Sequence, residues 1–149
     1  MKRAGRLDDA LKYYKQAMDL DPENSLIFYN TGILYNILSD YQSGAEALET
    51  SIKMNKHNTY AYLALGDALE RQKEIQKAVN VYKELLGSGI MVHGLKEKIS
   101  YLENVLASMK KAAQDAIQAP PAQPVPDPKA AAAKKGSQKE IIAKEPSAP

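Results

Sequence analysis

Histidine is the side chain most often used as a general base or a metal ligand near neutral pH, and this chain has two, His57 and His93. Both lie in predicted turns between helices, and the chain contains no cysteine. Nucleophilic catalysis requires a base held beside its nucleophile, and structural zinc sites need clustered Cys or His ligands. We therefore predict solvent-exposed histidines, with no catalytic site, no metal site and no cofactor.

The sequence gives equally weak indications of a phosphate-binding loop and of a catalytic pair of carboxylates. The stretch GSGIMV, residues 87–92, has two glycines of a dinucleotide-binding fingerprint but lacks the third glycine and the preceding strand. Acidic residues such as Asp8, Asp9, Glu46 and Glu49 recur at the spacing of a solvated helix face. These patterns predict a non-enzymatic protein that has no small-molecule substrate.

The overall charge argues against a specific nucleic-acid partner, because a formal net charge of +2 over 149 residues is only mildly basic. No apolar run approaches the length of a membrane span, and the N-terminus lacks the apolar core of a signal peptide. We expect an intracellular protein of the cytoplasm.

The last part of the chain differs in composition from the rest. Of the eight prolines, only Pro22 lies before residue 120, and residues 119–149 contain no aromatic residue. A segment rich in Pro, Ala and Lys buries too little apolar surface to offset its ordering entropy. We predict a disordered, solubilising tail. Its lysines leave open a salt-sensitive contact with RNA, a membrane surface or tubulin.

A period of 34 residues organises the chain before this tail. Shifting the sequence by one period aligns small residues with small ones and large apolar residues with large apolar ones. The aligned columns are Phe28/Tyr62, Gly32/Gly66, Ala10/Gly44/Ala78, Tyr14/Leu48/Tyr82, Leu7/Tyr41/Ile75 and Met18/Ile52/Leu86. Within each period, apolar spacings of three and four residues indicate two helices. The sequence therefore predicts stacked helical hairpins, in which the small residues allow close helix contacts.

Polar caps and glycines set the predicted helix ends. Ser25 and Thr59 are expected N-caps, and Gly87 is an expected C-terminal stop. By the same register, residues 1–5 correspond to the last turn of a helix that begins before Met1, with Gly5 at the turn that follows. We expect the chain to start inside a repeat.

These features resemble the tetratricopeptide repeats. Their first helix carries a bulky aromatic residue followed by Leu-Gly, and their second helix carries small, aromatic and small residues before a proline. The stretch YLALG, residues 62–66, matches the first part, and Ala10, Tyr14, Ala17 and Pro22 match the second. The departures from the pattern are Thr31, Gly44, Ser51, Lys56 and Ile90.

The resemblance implies an all-α fold, a right-handed α-solenoid of helix-turn-helix repeats. The expected segments are the second half of a repeat at 1–24, full repeats at 25–58 and 59–91, a capping or coiled-coil helix at 92–118 and the disordered tail at 119–149.

The helix predicted after the repeats leaves two alternatives open. Its apolar residues alternate at three and four positions, namely Val92, Leu95, Ile99, Leu102, Leu106, Met109, Ala113 and Ala116. Such a stripe is typical of a capping helix that covers the open end of a repeat array. It also fits a coiled-coil seam at 92–117 that makes a homodimer or grips a partner.

The resemblance further implies a protein-binding scaffold or adaptor, whose first helices line a concave face that holds a peptide or an amphipathic helix. The residues implied for that face are Leu26, Tyr29, Asn30, Ile33, Ile37, Tyr60, Leu63, Asp67, Glu70 and Arg71. An alternative is that a missing first helix covers Leu26, Tyr29 and Ile33. Another is that the chain is the repeat region of a larger enzyme, such as a glycosyltransferase.

One subfamily binds the acidic C-terminus of heat-shock chaperones through a clamp of Lys, Asn and Arg. Asn30 matches the Asn of this clamp, but Tyr60 and Ala64 stand where the cations would be needed. We therefore do not expect this chain to bind chaperone tails.

Overall fold

The computed structural model describes residues 2–121, with side chains from Gly5 onward. Its six helices are α1 (Lys2–Leu20), α2 (Ser25–Ile37), α3 (Tyr41–Met54), α4 (Thr59–Arg71), α5 (Ile75–Gly87) and α6 (Leu95–Gln118). This part of the chain contains no strand, which confirms the all-α prediction. Most of the predicted tail, residues 122–149, lies outside the described residues.

The chain divides into two compact units, Met1–Ala113 and Gln114–Pro149. The first unit contains α1 to α5 and most of α6. The described residues of the second unit are the exposed end of α6 and the three residues that follow it.

The predicted turn at Gly5 is wrong, because α1 runs through this residue without interruption. One glycine inside a helix costs about 1 kcal/mol relative to alanine, which the good helix formers around Gly5 offset.

The predicted N-caps are each wrong by one residue. Asn24 and Asn58 are the caps, and their side chains accept hydrogen bonds from the backbone N–H groups of Leu26 and Ala61. Asparagine in a non-helical conformation is a strong cap, so Ser25 and Thr59 become the first helical residues.

The two complete hairpins, α2–α3 and α4–α5, turn in the same way. Ser39 and Lys73, one period apart, adopt left-handed backbone conformations with φ of 64° and 65°. The backbone N–H of Asp40 donates to the carbonyl of Tyr35, and that of Glu74 donates to the carbonyl of Leu69. Each acceptor lies in the last turn of the preceding helix. This pattern closes a helix C-terminus and turns the chain back into an antiparallel helix.

Glycine allows the two helices of each hairpin to approach closely. A Cβ atom on Gly32 would lie 2.5 Å from Cγ of Leu48, and one on Gly66 would overlap the ring of Tyr82. Leu48 and Tyr82 are fully buried and occupy the same column of the repeat. The small-residue columns therefore act as predicted.

Helix α6 adds to the same hydrophobic core. Leu95, Ile99 and Leu102 are buried in the cluster that holds Tyr82 and Leu85 of α5. The first half of the predicted apolar stripe is thus covered within this chain.

The neighbouring face of α6 is polar where the repeats are apolar. In α4, Tyr62, Gly66 and Leu69 are all buried. The residues one period later are all exposed, namely Lys96, Ser100 and Glu103. In α4 these positions face the partner helix of the hairpin, so α6 lacks apolar residues at the positions where α4 contacts that helix.

Candidate functional site

An open groove of about 330 Å³ lies between α2 and α4, the first helices of the two complete hairpins. Its lining residues are Ile33, Asn36, Ile37, Ser39, Tyr41, Ala64, Asp67 and Arg71. We call it the α2–α4 groove. Four of the ten predicted binding residues line it, namely Ile33, Ile37, Asp67 and Arg71.

The α2 wall of this groove is apolar and reaches into solvent. Ile37 is 60% exposed, and Ile33 beside it is half-buried. Leu26, at the start of the same helix, is 58% exposed. Exposed aliphatic side chains on one helix face provide contact area for an apolar side chain of a partner.

The α4 wall carries charge. Nε of Arg71 lies 3.2 Å from Oδ2 of Asp67, and the Arg71 guanidinium lies 5.6 Å from the centroid of the Tyr41 ring. The hydrogen bond to Asp67 and the negative charge of its carboxylate raise the pKa of Arg71 above its ordinary value. Arg71 therefore stays cationic, and the groove offers one cation and one anion on an aromatic support.

Two side-chain amides join the hairpins beside the groove. Nδ2 of Asn36 donates to the carbonyl of Ala64 over 3.3 Å, and Nε2 of Gln72 donates to the carbonyl of Tyr41 over 3.0 Å. Asn36 Oδ1 is buried without a hydrogen-bond partner in the described part of the chain, and a Cβ atom on Gly44 would collide with it. The glycine at the usual alanine position of the repeat thus makes room for Asn36.

Sequence reasoning missed Asn36. The available signal was its coincidence with Gly44, since a buried amide on one helix requires a small residue on the helix it faces.

Glu70 lies away from the groove, although it is one turn from Asp67. Its Oε1 accepts a hydrogen bond from the Tyr82 hydroxyl at 2.7 Å and lies 2.8 Å from Nζ of Lys98 on α6. Burial raises the pKa of Tyr82 above its ordinary value, and the bond to Glu70 raises it further. The predicted binding residue Glu70 is therefore held in contacts among α4, α5 and α6.

The remaining predicted residues are also dispersed. Tyr29 and Leu63 are partly buried and pack against the core, whereas Tyr60 is 69% exposed. Asn30 lines a second groove between α1 and α2, which also contains Tyr14 and shares Ile33 and Ile37 with the α2–α4 groove.

A further groove of about 330 Å³ lies along α3 and α5 and was not predicted. Its apolar floor includes Ile52, Tyr62 and Val81, and the Tyr62 hydroxyl donates to Oε1 of Glu84 over 3.2 Å. Burial raises the pKa of Tyr62, and the charge of Glu84 adds to the shift.

His57 and His93 are exposed, as predicted. Within residues 2–121, no three His, Cys, Asp or Glu side chains are grouped so that they could hold a metal ion. Nor does any helix in this part of the chain have the length and apolar character needed to cross a bilayer.

Comparison with known proteins places this geometry in a family context. BBSome complex member BBS4 of Bos taurus is 33% identical over 79 residues, which are 53% of this chain and 15% of that protein. The chain thus matches only a small part of the length of this relative.

Two solved structures share the fold. The first TPR of Spaghetti (RPAP3) bound to HSP90 peptide SRMEEVD has a TM-score of 0.62 at 22% identity, covering 70% of this chain and 83% of that chain. The Sgt2 TPR domain from Aspergillus fumigatus has a TM-score of 0.63 at 20% identity, covering 85% and 82%.

Family profiles match the helices that form the repeats. Residues 3–38 match a profile described as TPR repeat, and residues 38–90 match one described as Tetratricopeptide repeat. These ranges span α1 to α5, where the glycine contacts and left-handed turns recur with the 34-residue period. The chain belongs to the tetratricopeptide repeat family.

Proposed function

We propose that this chain is a non-enzymatic interaction module that holds a helix or an extended segment of another protein in the α2–α4 groove. The main support is the groove itself, in which Ile33 and Ile37 of α2 line one wall and the Asp67–Arg71 pair of α4 lines the other. A related fold has been solved with a bound peptide, the RPAP3 domain with SRMEEVD.

The two walls define the chemistry of the partner. Ile33 and Ile37 accept an apolar side chain, which contributes roughly 25 cal/mol per Å² of apolar surface removed from water. Asp67 and Arg71 bind polar groups that follow on the same segment and set its direction. The Asn36 and Gln72 hydrogen bonds hold the two walls at a fixed spacing, so little ordering is required on binding.

A chaperone tail does not fit this chemistry. Tyr60 and Ala64 supply no cation for the carboxylates of such a peptide, and Asn30 lies in the groove between α1 and α2. We expect titration with SRMEEVD to give no saturable binding, with the RPAP3 domain as the positive control. Micromolar binding to this chain would contradict the proposed partner class.

The proposal is tested by affinity capture with two charge-matched variants of the full chain. Leu26→Asp/Ile37→Asp changes Ile37 of the α2 wall and the exposed Leu26 at the start of the same helix, and Leu20→Asp/Met91→Asp changes two exposed apolar residues elsewhere. We expect some proteins to be captured equally by the wild type and the second variant but not by the first variant. A purified protein from that set should bind the first variant at least tenfold more weakly.

Circular dichroism melts of both variants establish that folding is retained. Identical sets of captured proteins for the two variants would refute binding in this groove.

A further inference from the structure

The groove along α3 and α5, which we call the α3–α5 groove, runs between the second helices of the two complete hairpins. It shares no lining residue with the α2–α4 groove. Its floor combines the half-buried Val81 with three buried side chains, namely Ile52, Tyr62 and Leu65. Ligand pockets in proteins span roughly 300–1,000 Å³, so a groove of about 330 Å³ holds one large apolar side chain.

The rim of the α3–α5 groove is charged, and the two signs of charge lie at different ends. Helices α3 and α5 hold equivalent places one period apart, so Glu84 stands level with Thr50, the neighbour of Glu49 on α3. Lys53 lies one turn beyond Glu49, and Lys56 follows the end of α3. The groove therefore has an acidic end and a basic end, which are roughly 6–10 Å apart at 1.5 Å per helical residue.

The four charged side chains of this rim are exposed, and the ion pairs that the described residues form with one another use other side chains. Glu84 is held in position, because its Oε1 accepts a hydrogen bond from the Tyr62 hydroxyl over 3.2 Å. A carboxylate has about four acceptor sites, so Glu84 still has capacity to bind a cation. One period earlier the same two positions are Phe28 and Thr50, which form no such pair. The arrangement is therefore particular to this hairpin and is not a general result of repeat packing.

The ends of α3 and α5 favour one direction for a helix bound between them. The two helices run the same way, and their C-termini, at Met54 and Gly87, lie at the basic end of the groove. A helix antiparallel to both places its N-terminus at that end, so its dipole is attracted by theirs. Acidic residues stabilise a helix N-terminus and basic residues a C-terminus, and in this direction they meet the basic and acidic ends of the groove.

We propose that the α3–α5 groove binds an amphipathic helix of a partner protein, antiparallel to α3, with the pattern acidic-x-x-large apolar-x-x-x-basic. The apolar side chain lies on the floor, the acidic residue faces Lys53 and Lys56, and the basic residue faces Glu49 and Glu84. The two charges of the bound helix are two turns, or about 10 Å, apart, which matches the two ends of the groove. This site is independent of the α2–α4 groove, and a chain that uses both connects two protein segments.

A designed peptide tests the proposal by fluorescence, because this chain contains no tryptophan and the emission of a peptide tryptophan is therefore unobscured. The peptide is an alanine-based helix with Glu, Trp and Lys at positions i, i+3 and i+7, stapled on its opposite face. We expect saturable binding to the full chain with a Kd of about 1 mM or tighter, and a blue shift of the emission as the indole is buried. The matched control exchanges Glu and Lys within the peptide and should bind more weakly by about threefold or more.

Three protein variants locate the peptide. Lys53→Glu/Lys56→Glu reverses the basic end of the groove and should abolish the preference between the two peptides. Lys12→Glu/Lys15→Glu changes two exposed lysines of α1 that have the same spacing, and should leave the preference intact. Ile37→Asp alters the α2–α4 groove and should leave both affinities within about twofold of wild type. Circular dichroism melts establish that each variant is folded.

Several results would overturn the proposal: no saturable binding, equal binding of the two peptides, or a preference that Lys53→Glu/Lys56→Glu leaves unchanged. Loss of binding in Ile37→Asp would place the peptide in the α2–α4 groove instead. Sedimentation that shows a dimer dissociated by Lys53→Glu/Lys56→Glu would assign the groove to a second copy and not to a partner protein. The capture experiment changes only residues outside the α3–α5 groove, so the two proposals fail independently.

Discussion

Replacing Gly66 with alanine places a methyl group where the ring of Tyr82 already lies. The ring is 1% exposed, and its hydroxyl donates to Oε1 of Glu70 over 2.7 Å. To make room, the ring must move by about 1 Å, since non-bonded carbon atoms pack at roughly 3.5–4 Å. This movement strains both the packing of α4 on α5 and the hydrogen bond to Glu70.

The net effect on stability is the balance of three contributions. Overpacking a core costs about 1–3 kcal/mol, and weakening a hydrogen bond to a charged acceptor costs about 1–2 kcal/mol. Alanine favours the helix over glycine by about 1 kcal/mol. We therefore expect Gly66→Ala to lower the free energy of unfolding by about 1–4 kcal/mol.

Urea unfolding followed by circular dichroism measures this change. Gly87→Ala is the matched control, because Gly87 also lies in a helix but has no heavy atom within 4 Å of an added Cβ. It should be neutral or stabilise the fold by up to about 1 kcal/mol. In a Tyr82→Val background, the cost of Gly66→Ala should fall below about 0.5 kcal/mol, which a double-mutant cycle detects. If Gly66→Ala proves as stable as wild type, the close-contact argument is wrong.

Three further changes test other contacts. Ser51→Ala removes the buried hydroxyl that donates to the Ser25 carbonyl over 2.8 Å, and should cost about 1 kcal/mol in urea; an unchanged midpoint would contradict this. Lys98→Met removes the cation beside Glu70 and should cost less than about 1 kcal/mol, with a smaller cost in high salt; a salt-independent loss would argue against an ionic contribution. The raised pKa of Tyr82 means that the unfolded chain loses this proton first, near pH 10. Stability should therefore be unaffected below pH 10 and fall above it by up to about 1.4 kcal/mol per pH unit, less so in Tyr82→Phe.

The core was predictable because helix packing depends on residue size at fixed spacing. The 34-residue period alone assigns Gly66 to a small-residue column and Tyr82 to a large apolar column, and the structure shows that the two are in contact. The first residues of the helices were harder to predict from the sequence. In Asn24-Ser25 and Asn58-Thr59 either residue is a good cap, and the choice depends on which one leaves the helical conformation.

The candidate site was only partly predictable for a similar reason. Glu70 shares a helix stripe with Asp67, and helical spacing alone assigns both to one surface. Its actual partner, Lys98, lies on a helix that follows an irregular connection at 88–94, so no repeat period relates the two residues. Asn36 was not predicted because the role of an amide within an apolar pattern can be inferred only when the small residue that faces it is known.

The polar face of α6 has a consequence for how such an array can change in length. Gene duplication adds repeats wherever the flanking helices can pack on the new copy. A hairpin joined after α6 would meet Lys96, Ser100 and Glu103 at the positions where α4 offers an aromatic residue, a glycine and a leucine. A hairpin inserted within 88–94 would instead pack on α5 on one side and present its own last helix to Leu95, Ile99 and Leu102 on the other. Insertion ahead of α6 therefore preserves the apolar contacts of the repeats better than addition after it.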